Sequence, residues 1–155
     1  MPSRHWAAAF AWMALILAFS TETFSFCNTL SLLEAIIVRV MPAHAATDVA
    51  RANARTRTGA HVLEYAVLAV LLLRALVADR HSVGRAVAIA LALCIAWAVV
   101  DEAHQAREPS RKGKVTDVVL DAVSGALGAA VWLAVGRGRA ARAERRRITS
   151  RYGAR

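Results

Sequence analysis

Apolar residues in this chain come in blocks separated by short polar stretches, not in an even helical rhythm. Blocks of this kind predict membrane spans rather than the one-sided helices of a soluble core. The first runs from Trp6 to Ser20 behind Arg4 and His5. A basic start before an apolar run also fits a signal peptide. The small-x-small sequence Ala43-His44-Ala45 lies too far downstream to be its cleavage site, so the run is read as a first transmembrane helix. It is short for a hydrocarbon core of ~30 Å, and Thr21 to Phe26 are expected to extend it.

Leu30 to Val40 is the next apolar stretch. Glu34 and Arg39 interrupt it, Pro42 ends it, and it is too short to span. This pattern predicts an amphipathic helix lying in the membrane interface. Ala43 to Thr58 is polar and predicts a loop or short helix. A second span is predicted from about Ala60 to Ala78, a third from about Ala86 to Val100, and a fourth from about Val115 to Val135. Within the fourth, Asp117, Asp121, Gly125 and Ala129 recur at every fourth position, and Ala122, Ala126, Ala130 and Ala134 form a second stripe beside them. Small residues at that spacing let helices approach closely in a bilayer. The expected fold is therefore all-α: an integral membrane helical bundle of about four transmembrane helices plus a short interfacial helix.

Composition supports this reading. Of 155 residues, 57% are hydrophobic, and the mean hydropathy is +0.41. One domain is expected, with a transmembrane part over residues 6–135 and a basic tail over 136–155. The formal charge of +9 is unevenly placed, since eight arginines after residue 136 accompany one acid, Glu144. On a chain this apolar such a block reads as a cytoplasmic topology anchor, and no nucleic-acid partner is expected. With four spans both termini share a side. That side carries Arg4, Arg80, Arg85 and the eight tail arginines, against eight basic residues opposite, which predicts a multi-pass protein of the cell membrane with both termini cytoplasmic. The cysteines, Cys27 and Cys94, have no metal-thiolate spacing, and Cys94 reads as a small core residue.

This topology gathers polar residues at the extracytoplasmic end. His61, Glu64 and Tyr65 open the second span on one helix face. Asp101, Glu102, His104 and Gln105 close the third, a charged loop with Pro109 and Arg111 follows, and Asp117 and Asp121 open the fourth. Antiparallel packing of the third and fourth spans would let Glu102, Asp117 and Asp121 face one another, with His61, Glu64 and Arg111 as counter-groups.

Those same residues carry a resemblance. Arg57 to Tyr65, R-x-x-A-H-V-L-E-Y, is similar to the basic-then-His-x-x-Glu-Tyr start of a span in the VanZ-like family of bacterial membrane proteins. Asp101 to Gln105 resembles that family's Asp-Glu-x-x-Gln signature, and Pro109-Ser110-Arg111 its Pro-Gly-Arg turn, with Ser110 where glycine is usual. Asp117 to Gly125 resembles its last helix, D-x-x-x-D-x-x-x-G. The family's name comes from a protein associated with low-level teicoplanin resistance. The resemblance implies an integral membrane protein of the cell envelope and supplies no particular reaction.

Two roles for the polar cluster stay open. It is either a ring of interhelical hydrogen bonds, each worth about 0.6 kcal/mol, or a ligand or catalytic site. The candidate binding residues are His61, Glu64, Tyr65, Asp101, Glu102, Gln105, Arg111, Asp117 and Asp121; the candidate catalytic residues are Glu102, His61 and Asp117. The favoured function is recognition of a cell-wall or lipid precursor at the extracytoplasmic face, modulating glycopeptide sensitivity, with membrane lipid and that precursor as partners. The alternative is a membrane enzyme acting on a lipid-linked envelope substrate. It would work either by acid/base chemistry at carboxylates sharing a proton with His61 or Glu102 nearby, or through a divalent cation held by Glu64, Glu102, Asp117, Asp121 and His61. Taken singly, Tyr65 reads as an interface aromatic and His104 as a loop residue. A transporter ranks last, because the third span has no internal charge.

Overall fold

The computed structural model describes residues 4–20, 45–107 and 115–152, with side chains described at 4–20, 55, 58–107, 115–139 and 141–143. Four helices make up these residues, with no strand among them: α1 (Arg4–Ser20), α2 (Ala45–Ala78), α3 (Val83–Gln105) and α4 (Val115–Tyr152). Three contain a stretch long and apolar enough to cross a membrane: Thr58–Ala78, Val83–Gln105 and Val115–Ala143. At ~1.5 Å per residue, the 21 and 23 residues of the first two match a hydrocarbon core of ~30 Å. The 17-residue α1 packs against α2 and α3. The expected interfacial helix over Leu30–Val40, the turn at Pro109–Arg111, and Cys27 lie outside the described residues.

Two elements are longer than the apolar pattern foretells. α2 begins at Ala45, inside the polar stretch read as a loop or short helix. α4 runs through residue 136 into the arginine-rich segment without a break. Alanine and arginine, which dominate both extensions, are strong helix formers, so helix continues after the apolar signal stops.

α2 is the centre of the bundle. Tyr65, Leu68, Ala69, Leu72, Leu73 and Leu76 are buried along it at helical spacing. α3 offers a line of small residues, Ala86, Ala90, Cys94 and Ala98, all fully buried. That line runs straight on into Asp101, Glu102 and Gln105. On α4 the buried positions are Asp121, Ser124, Gly125, Gly128 and Ala129. Gly128 is where α2 and α4 cross. A Cβ there would sit 2.7 Å from Ala66 Cα and 2.8 Å from Ala66 C, backbone atoms that cannot swing aside. At Gly125 a Cβ would meet Cys94 Cβ at 3.4 Å. The stripe through Asp121, Gly125 and Ala129 is thus a packing seam, whereas Ala126, Ala130 and Ala134 of the neighbouring stripe are exposed. Val115, Val119, Val123, Leu127, Val131 and Val135 line the outward face of α4, as apolar residues do against lipid.

α2 and α3 form a tight antiparallel hairpin. The turn is closed by His81 N–H donating to the Leu76 carbonyl at 3.2 Å and Arg80 N–H to the Val77 carbonyl at 3.0 Å. This is a Schellman cap, and Arg80 takes its left-handed position at φ 64°. The hairpin puts the start of the α2 span and the end of α3 at one end of the bundle, together with the end of α1 and the start of α4. At the other end Trp6 stacks on Phe10, and its Nε1 donates to Asp79 Oδ2 at 2.6 Å.

Candidate functional site

Every element contributes a polar residue to the first end. Ser20 is the last residue of α1, His61 lies one turn into the α2 span, Gln105 closes α3, and Asp121 lies in the second turn of α4. The lengths of the apolar runs set these depths. At ~1.5 Å per residue, His61 sits about 5 Å along from Thr58, Tyr65 about 10 Å, Asp121 about 9 Å from Val115, and Asp101 about 6 Å back from Gln105. The polar groups therefore occupy one layer just inside the helix ends.

His61 Nδ1 lies 3.2 Å from Asp121 Oδ1 and ties α2 to α4. Asp121 is 1% exposed. When Asp121 is ionised it accepts only from a protonated ring nitrogen, which places a proton of His61 on Nδ1; Nε2 is the ring nitrogen Asp121 does not engage. Gln105 Nε2 donates to Asp101 Oδ2 at 3.1 Å and to Ser20 Oγ at 3.4 Å, joining α3 to α1. Trp12 Nε1 donates to the Glu64 carbonyl at 2.9 Å and pins α1 along α2. Glu64, Asp101 and Asp121 all lie within electrostatic reach of His61.

Several buried atoms in this region have no hydrogen-bond partner. Tyr65 is 0% exposed and Asp101 1%, yet Tyr65 Oη and Asp101 Oδ1 are both unpaired. His104 Nε2 and Trp97 Nε1 are in the same position. Buried polar atoms are normally satisfied, because leaving one unpaired costs about 1–3 kcal/mol. An unpaired phenol and an unpaired carboxylate oxygen thus stand at the same end of the bundle.

The structure brings together His61, Glu64, Tyr65, Asp101, Gln105 and Asp121. Glu102 is buried at the same turn of α3 and has an interaction of its own. Asp117 lies one turn nearer the start of α4, half-buried, and accepts from Thr116 Oγ1 at 3.2 Å. Arg111 is outside the described residues. The cation-holding set of Glu64, Glu102, Asp117, Asp121 and His61 does not assemble: among the described residues no three His, Cys, Asp or Glu side chains group so as to hold a metal ion. Two single-residue expectations change. Tyr65 is a core residue, not an interface aromatic, and His104 belongs to the last turn of α3, not to a loop. Ser20 escaped the sequence reading. Its signal was its place, a small polar residue closing an apolar block at the end where the other polar residues gather. Ser124 donates to the Leu120 carbonyl at 2.7 Å, so its hydroxyl is spent within its own helix.

The VanZ/LLP1 family model matches residues 5–136. No curated protein and no solved structure matches the chain.

Proposed function

The chain belongs to the VanZ/LLP1 family, and on that premise we propose that it recognises the headgroup of a cell-wall or lipid precursor at the extracytoplasmic face of the cell membrane, and so lowers sensitivity to a glycopeptide such as teicoplanin. In this reading α1 is a fourth span beside the three longer ones, both termini are cytoplasmic, residues 6–135 form the membrane domain, and 136–155 form a basic anchor. The observation that carries it is the pairing of His61 with Asp121 and of Gln105 with Asp101 and Ser20 inside the bundle, beside unpaired atoms of Tyr65 and Asp101. A bundle that needed only cohesion would do as well with apolar side chains there, since buried ion pairs are poor sources of stability.

Two experiments test the proposal. A structure determined with native lipid retained should show headgroup density between the ends of α2, α3 and α4; side chains sealed against one another with no density would overturn it. For topology, Lys112→Cys in a Cys27→Ser background should react with an impermeant thiol label from outside intact cells. Protection from outside and labelling only after lysis would reverse the orientation.

One observation favours a second reading, a membrane enzyme. A carboxylate fixing Nδ1 of a histidine is the arrangement that prepares Nε2 as a general base. Under this reading His61 takes a proton from a water that attacks the lipid-linked substrate, and Glu102 or Asp117 gives one to the group whose bond to the substrate breaks. Glu102→Gln would then abolish turnover of an envelope lipid at unchanged membrane abundance, whereas loss of the variant from the membrane would mark Glu102 as structural.

A further inference from the structure

We infer that the deepest part of this site takes a single uncharged hydroxyl, of the kind a sugar or glycerol headgroup carries, and turns phosphate away. The inference rests on the recognition role proposed above and says which part of the headgroup goes innermost.

Tyr65 Oη and Asp101 Oδ1 stand on α2 and α3, fully enclosed and without partners. They lie about 10 Å and about 6 Å inside the helix ends, and of the carboxylates Asp101 acts most strongly on the phenol. Their needs are complementary. The phenol has a proton to donate, and an ionised carboxylate oxygen can only accept. A hydroxyl accepts from Tyr65 and donates to Asp101, so one group satisfies both. An ammonium only donates and would leave the phenol proton unpaired. A phosphate would bring negative charge against Asp101, Asp121 and Glu64, all within reach of Tyr65. Of the two histidines at this end, His61 already has Asp121 on Nδ1, and His104 sits in the last turn of α3, nearer the rim than Asp101, so neither offsets that charge at the floor. The phosphate of a phospholipid or lipid-linked precursor is therefore held at the rim while a hydroxyl points inward.

The test uses the full chain in phosphatidylcholine nanodiscs, whose bulk lipid has no hydroxyl to offer. Monoglucosyldiacylglycerol, phosphatidic acid and phosphatidylethanolamine are each added, and thermal unfolding is followed. The neutral glycolipid should raise the unfolding temperature, and the other two should not. Tyr65→Phe removes only the hydroxyl; it should leave the lipid-free protein as stable as before or more so, and weaken glycolipid binding about tenfold. Asp101→Ala, measured the same way at matched folded fraction, should show the same loss. Glycolipid binding unchanged in Tyr65→Phe would overturn the inference, because a trapped water would then be what bridges the two atoms. A shift with phosphatidic acid equal to or above that of the glycolipid would overturn it while leaving headgroup recognition standing. No shift with any of the three would remove both.

Discussion

At one end of the bundle Trp6 on α1 reaches Asp79 across exposed surface; at the other, His61 on α2 reaches Asp121 on α4 through the interior. Both ends bind helices together with an aspartate. At the exposed end water can replace the tryptophan, so the bond adds little, and Asp79 is satisfied with or without it. At the buried end nothing replaces a lost partner, so each bond there matters by what its absence would leave behind. A chain under pressure only to hold four helices together could use the first arrangement at both ends. The second arrangement is costly to build, and that cost is the physical argument for a task.

The two ends should differ most at the His61–Asp121 pair. His61→Leu strands a buried carboxylate and is expected to destabilise the folded bundle by about 3–5 kcal/mol, read as a fall in unfolding temperature or loss from the membrane. Adding Asp121→Leu should restore most of that, since a buried pair replaced by apolar residues is close to neutral. A double variant as unstable as the single one would show that the pair is held for cohesion. Next comes Gly128→Ala. Its Cβ would press on the Ala66 backbone and force α2 and α4 apart at a cost of about 1–3 kcal/mol, whereas Gly136→Ala, with open space around it, should change nothing measurable. Gln105→Ala removes the donor to Asp101 and Ser20 and should cost about 1–2 kcal/mol. Smallest of all is Asp79→Ala at the exposed end, within about 0.5 kcal/mol; a loss as large as that of Gln105→Ala would erase the contrast between the ends.

Much of this was legible in the residues. Apolar blocks placed α3 and the membrane part of α2 to within a few residues, and the polar residues at their ends had to meet once the spans ran antiparallel. The seam through Asp121, Gly125 and Ala129 followed from small residues at every fourth position. What periodicity does not carry is rotation about each helix axis. Hence Asp117 and Asp121 looked alike, although Asp121 turns inward to His61 while Asp117 sits half-buried in the first turn and accepts from Thr116. Tyr65 looked like an interface aromatic because sequence gives its height along the helix and not the crowding of α2 by its neighbours. The bond from Trp12 to the Glu64 carbonyl was invisible, since a main-chain acceptor leaves no mark in residue identity.

In the proposed function the buried polar layer serves recognition more than cohesion. The most direct measurement is teicoplanin tolerance of cells expressing wild type or the His61→Leu/Asp121→Leu double variant at equal membrane abundance and equal unfolding temperature. Wild type is expected to raise tolerance, and the equally stable double variant is expected not to. A double variant that protects as well as the wild type would contradict this.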